Sequence, residues 1–108
     1  MMEPVFVNIM MEPVFVKILF DLHCDWEGIA PEYRIYVEDE LFCERTFKWK
    51  EPVYLTEILQ VEAEPGTYEF RLEKVEPQLS NFKIENTRVK YGPGNILSDT
   101  KFEILNEN

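Results

Sequence analysis

Strict alternation of apolar and polar residues is the feature that most constrains this chain. Over residues 14–22, Val14, Val16, Ile18, Phe20 and Leu22 fall on one side of an extended backbone, with Phe15, Lys17, Leu19 and Asp21 on the other. Side chains of a strand point to opposite faces in turn, so this pattern predicts a strand with one face in a core. The alternation returns over residues 32–38, where Tyr33, Ile35 and Val37 interleave with Arg34 and Tyr36. A tight turn at Glu38-Asp39-Glu40 then leads into a third strand running from Leu41 to Trp49.

Proline and glycine set the remaining boundaries. Gly28 and Pro31 make residues 23–32 a loop, and Pro52 interrupts the chain before residues 53–63. That stretch is rich in β-formers but alternates weakly, so a short helix over residues 52–58 competes with a strand there. Glu64-Pro65-Gly66-Thr67 carries turn chemistry, because proline presets φ at one central position and glycine accepts positive φ at the next. It is expected to close a hairpin between residues 58–63 and 67–75, with Tyr68, Phe70 and Leu72 inward. Further strands are expected over residues 81–91, with Phe82 and Ile84 inward, and over residues 101–105, with Phe102 and Ile104 inward; Gly92-Pro93-Gly94 turns the chain between them. The resulting class is all-β: an antiparallel β-sandwich, jelly-roll-like, of about seven or eight strands.

Length and composition support one domain. The 108 residues, 45% hydrophobic and 14% aromatic, suit a single core. With 21 acidic and 11 basic residues the formal charge is −10, and the scattered lysines and arginines form no basic stripe, which argues against nucleic acid. The apolar runs are broken by Asn8, Glu12, Pro13 and Lys17, too short for a membrane span, and Glu3 with no early basic residue does not resemble a signal peptide. The cytosol, or an assembly formed inside a cell, is the expected location. Cys24 and Cys43 read as reduced, buried thiols, with a disulfide as the alternative.

The organisation contains one tandem repeat. Met-Glu-Pro-Val-Phe-Val-Asn-Ile-Met at residues 2–10 is followed by Met-Glu-Pro-Val-Phe-Val-Lys-Ile-Leu at residues 11–19. Two copies of nine residues make no solenoid. Residues 1–10 are either a duplication at the gene start, with one copy sufficient for the fold, or an arm whose Val5, Phe6 and Val7 add a strand to a neighbour's sheet. The domain proper is residues 11–108.

Chemical motifs are sparse. His23-Cys24-Asp25 joins a histidine, a thiol and a carboxylate, but neighbours on an extended chain face opposite ways and a zinc site needs four ligands. No phosphate-binding glycine loop or serine elbow is present, and the chain reads as non-catalytic with no cofactor. Calcium is a minor alternative, on the carboxylates Asp21, Asp25, Glu27 and Asp99, although no ordered acidic ladder accompanies them. The aromatic residues carry the remaining signal. Trp26, Tyr36, Trp49 and Tyr54, with Phe42, fall in loops or on outward phases, where they serve a protein interface, stack on sugar rings, or return to the core through one-residue bulges.

Residues 33–47 (Tyr-Arg-Ile-Tyr-Val-Glu-Asp-Glu-Leu-Phe-Cys-Glu-Arg-Thr-Phe) and 61–72 (Val-Glu-Ala-Glu-Pro-Gly-Thr-Tyr-Glu-Phe-Arg-Leu) resemble the strand-turn-strand core of two groups. One is the small accessory β-sandwich proteins of tailed-phage virions; the other is the jelly-roll carbohydrate-binding modules of the xylan-binding type. The first resemblance implies a decoration, cement or fibre-associated subunit with protein partners, either copies of itself as a homo-oligomer or capsid and tail proteins. The second implies a glycan ligand, but Glu38-Asp39-Glu40 stands where such modules carry an Asn/Asp-Gly turn.

Overall fold

A computed structural model describes residues 12–75 and 80–106. Eight strands make up its regular structure: β1 (Val14–Trp26), β2 (Glu32–Val37), β3 (Glu40–Thr46), β4 (Leu55–Ala63), β5 (Gly66–Lys74), β6 (Ser80–Tyr91), β7 (Gly94–Ser98) and β8 (Lys101–Ile104). No helix occurs among the described residues. The strands form two antiparallel sheets, one of three strands in the order β4-β1-β6 and one of five in the order β3-β2-β5-β8-β7. The chain is an all-β sandwich.

Alternation builds the core. Val14, Val16, Ile18, Phe20, Leu22 and Cys24 of β1 meet Tyr33, Ile35 and Val37 of β2, Phe70 of β5, and Phe102 and Ile104 of β8, all buried. Phe20 and Phe70 stack across the sandwich with centroids 4.9 Å apart. Each such side chain taken fully out of water contributes about 1.5–3 kcal/mol.

Several boundaries differ from the sequence expectation. β1 continues through residues 23–26, read above as loop, because Cys24 and Trp26 extend the inward series while His23 and Asp25 extend the outward one. β3 stops at Thr46 rather than Trp49. Residues 55–63 are strand, not helix: Glu57, Leu59 and Val61 all point inward, and the polar Glu57 hid the alternation. β7 is a strand where only a turn was expected.

The largest correction concerns the turn at residues 64–66. β4 and β5 are not a hairpin: β4 pairs with β1, and β5 pairs with β2 and β8. The Pro-Gly turn carries the chain from one sheet to the other. At the β2–β3 hairpin the expected tight turn does form, with Glu38 itself at φ 55 where a glycine is common. That conformation is held from β5, since the Glu38 amide donates to the Glu69 carbonyl at 2.9 Å and the Glu38 carboxylate accepts from the Glu69 amide at 2.8 Å.

The five-stranded sheet is staggered. β5 pairs with β8 through residues 66–69 and with β2 through residues 70–74, so each neighbour covers half of it. The uncovered halves leave two open clefts at opposite ends of β5.

Candidate interaction surface

The aromatic residues singled out by sequence do not converge. Trp26 and Trp49 meet at one end of the sandwich, where the Trp26 indole N–H donates to the Trp49 carbonyl at 2.8 Å and Lys50 Nζ lies 3.7 Å from the Trp26 ring centroid. Both rings pack against the core and are only partly exposed. Tyr36 lies apart on the outer face of the five-stranded sheet, under the Arg71 guanidinium at 4.3 Å. Phe42 is the extra residue of a bulge in β3, which turns it toward the core as one of the sequence alternatives required. Tyr54 alone of the four site aromatics is well exposed, at 49%. Val5, Phe6 and Val7 lie outside the described residues.

The outer face of the three-stranded sheet gathers what these aromatics do not. Its outward positions on β1 are Phe15, Lys17, Leu19, Asp21 and His23, flanked in register by Ile58 and Thr56 of β4 and by Arg88, Glu85 and Tyr91 of β6. At one end Phe15 and Tyr91 form a tilted ring pair at 5.8 Å, with Lys17 Nζ 5.9 Å from each. In the middle, Ile58 remains 46% exposed beside Leu19, and Tyr91 is 58% exposed. At its far end the segment before β4 packs on this face, with the Tyr54 ring stacked on His23 and Glu51 Oε1 4.0 Å from His23 Nδ1.

Asp21, Arg88, His23 and Glu85 on the same face are engaged by their neighbours. Asp21 is only 6% exposed and accepts from Thr56 Oγ1 at 2.9 Å, Asn86 Nδ2 at 3.0 Å and Arg88 Nη1 at 3.3 Å. Burial pushes its carboxyl up, but those three donors outweigh burial and hold it below the usual carboxylate range. Asn86 reaches it because β6 carries an extra residue there, with Asn86 at φ 58, a conformation asparagine tolerates. Further along, His23 Nε2 lies 2.8 Å from Glu85 and its ring stacks on Tyr54 at 4.7 Å.

A second polar cluster closes the seam between the edge strands β3 and β4. Glu57, 4% exposed, accepts from the Tyr33 hydroxyl at 2.6 Å and from Arg45 Nε and Nη2 at 2.9 and 3.1 Å, with Cys43 Sγ at 3.6 Å. Farther along that seam the stagger of β5 opens a cleft of about 920 Å3, with Leu41, Phe42, Val61 and Tyr68 within it and Glu38, Glu40 and Glu62 at its rim.

The motif candidates separate in space. Among the described residues, no group of three or more His, Cys, Asp or Glu side chains is placed to hold a metal ion. Asp21 faces its three donors, and Asp99 sits on the distant β7–β8 turn rather than beside Asp25 and Glu27. Cys24 faces the core while His23 and Asp25 face away, and both cysteines are free. Comparison with protein-family models, with curated proteins and with solved structures returns no match.

Proposed function

We propose that this chain is a non-catalytic structural subunit of a larger assembly, a virion accessory protein of the decoration, cement or fibre-associated kind. The observation that carries this reading is the outer face of the three-stranded sheet, where Ile58, beside Leu19, and Tyr91 are left exposed, with Tyr54 exposed at the His23 end. Exposed apolar residues set among satisfied polar groups such as Asp21 and Arg88 suit a protein-binding surface. The groups that could serve chemistry are engaged: His23 by Glu85, Asp21 by three donors, Glu57 by Tyr33 and Arg45. A net charge of −10 keeps such a subunit soluble and away from nucleic acid.

Light scattering after size exclusion, with a pull-down from the native source, tests the reading. A stable oligomer, or co-purification with particles that Ile58→Glu and Tyr91→Ser abolish without lowering the melting temperature, is the expected result. A strict monomer that ignores particles and binds on a glycan array through Tyr54 would replace it with the carbohydrate-binding reading.

A further inference from the structure

The tandem repeat acquires a structural meaning once β1 is seen in place. The second copy supplies the N-terminal half of β1, and its inward side chains are Val14, Val16 and Ile18, at 6%, 0% and 0% exposure. They pack opposite Ala63, Val61 and Leu59 of β4 in the ladder. The first copy repeats every one of them, as Val5, Val7 and Ile9. The two copies differ only at Asn8 for Lys17 and Met10 for Leu19, and Lys17 and Leu19 both lie on the outer, half-exposed face.

The slot therefore does not distinguish the copies through its core. Its outward position 15 is phenylalanine in both, so the ring pair with Tyr91 is available to Phe6. Gly92 lies close to the Phe15 carbonyl oxygen and to Cα and Cγ1 of Val16, and the first copy repeats both residues as Phe6 and Val7. The β1–β6 ladder shifts register twice, between Lys17 and Ile18 inside the slot and between Leu19 and Asp21 at its end, and the second shift marks where the exchanged strand stops.

We infer that two chains exchange this segment: residues 5–10 of one occupy the place of residues 14–19 in the other, and the reverse. Residues 11–19 of each chain then become the crossover, nine residues that span up to about 30 Å when extended. Each sandwich keeps its full set of inward side chains, and the closed monomer and exchanged dimer differ mainly in chain entropy and concentration. This inference deepens the assembly reading by naming a second copy of the chain as one partner.

Four full-length or shortened proteins test it. The wild type is expected to show a concentration-dependent species of about twice 12.9 kDa by light scattering. Val7→Asp spoils only the first copy, and is expected to lose the dimer while keeping the monomer's melting temperature. Val16→Asp puts a charge at a wholly buried position of the second copy. It is expected to fold only as the dimer, with the first copy in each slot, whereas Val16→Asp lacking residues 1–10 is expected not to fold.

A full-length Val16→Asp protein as unfolded as the shortened one overturns the inference. So does one that folds yet stays monomeric at every concentration, which would mean that the first copy fills its own chain's slot. The assembly reading fails separately, when the protein lacking residues 1–10 no longer associates with particles through its Ile58 face.

Discussion

The Tyr33 hydroxyl donates a 2.6 Å hydrogen bond to the Glu57 carboxylate, joining the buried faces of the two sheets. Tyr33 is wholly buried, and burial, then its bond to Glu57, pushes its phenol far above the ordinary range, so it stays a donor at any pH the fold survives. Tyr33→Phe is expected to cost about 1–2 kcal/mol, because Glu57 keeps its two Arg45 donors. Glu57→Leu strands the tyrosine hydroxyl and is expected to cost about 3 kcal/mol. Arg45, 46% exposed, regains water in that variant. The double variant is expected to be more stable than the sum of the singles, and urea denaturation of all four proteins measures the coupling. Strict additivity would show that the bond carries nothing.

Asp21 sets an acid limit on stability. Its unfolded carboxyl titrates near 3.8 and its folded one lower, so the folded state favours the ionised form. The contribution is complete above the unfolded value and disappears as pH falls through the folded one. Urea midpoints of the wild type are expected to drop between about pH 5 and pH 2.5 by more than those of Asp21→Asn, whose curve lacks this component. Parallel curves would contradict the assignment.

Gly92 admits no side chain. It adopts φ 90, and a Cβ built on it would lie 2.3 Å from the Phe15 carbonyl oxygen and 3.0 Å from Val16 Cα. Gly92→Ala is expected to cost about 3 kcal/mol or more, since strain and a backbone clash add. Gly28 has a similar φ of 83 with nothing within 4 Å, so Gly28→Ala is expected to cost only about 1 kcal/mol. Thermal melts of the pair separate crowding from conformation.

The two thiols should be inert in the folded protein. Burial pushes Cys24 up to about 11, and burial, then Glu57, raises Cys43 as well. At pH 8 both are protonated, and a thiol reagent needs the thiolate. Native protein is expected to react at least tenfold more slowly than protein in urea, where both cysteines label at the rate of free thiol. Rapid labelling of Cys24 in the native state would place it outside the core.

Local pattern made the individual strands legible, and partner choice was not. The alternation of β1 and β2 reports which face is buried, whatever the neighbour. The Pro-Gly turn at residues 64–66 fixes a reversal of the chain but carries no information about which sheet the next strand joins. Glu57 broke the pattern of β4 because its burial depends on Tyr33 and Arg45, residues distant in sequence. The surface was legible in one residue, Tyr54, exposed as its phase implied. The rest of that face depends on β1 lying between β4 and β6, which brings Asp21 to Asn86 and Arg88 and His23 to Glu85. Trp26 and Trp49 lie nearer the core because β1 runs four residues past Leu22 and takes Trp26 inward.

The pairing of β1 with β6 also orders events during synthesis. β1 leaves the ribosome first, yet Lys17 finds Tyr91 and Trp26 finds Ser80 only when most of the chain has followed. At about 5–20 residues per second, the Val14, Val16 and Ile18 stripe waits several seconds with one flank unpaired. β4 arrives earlier and can shield the other flank, which leaves the apolar segment that is written twice open on its β6 side until the last third of the chain has followed.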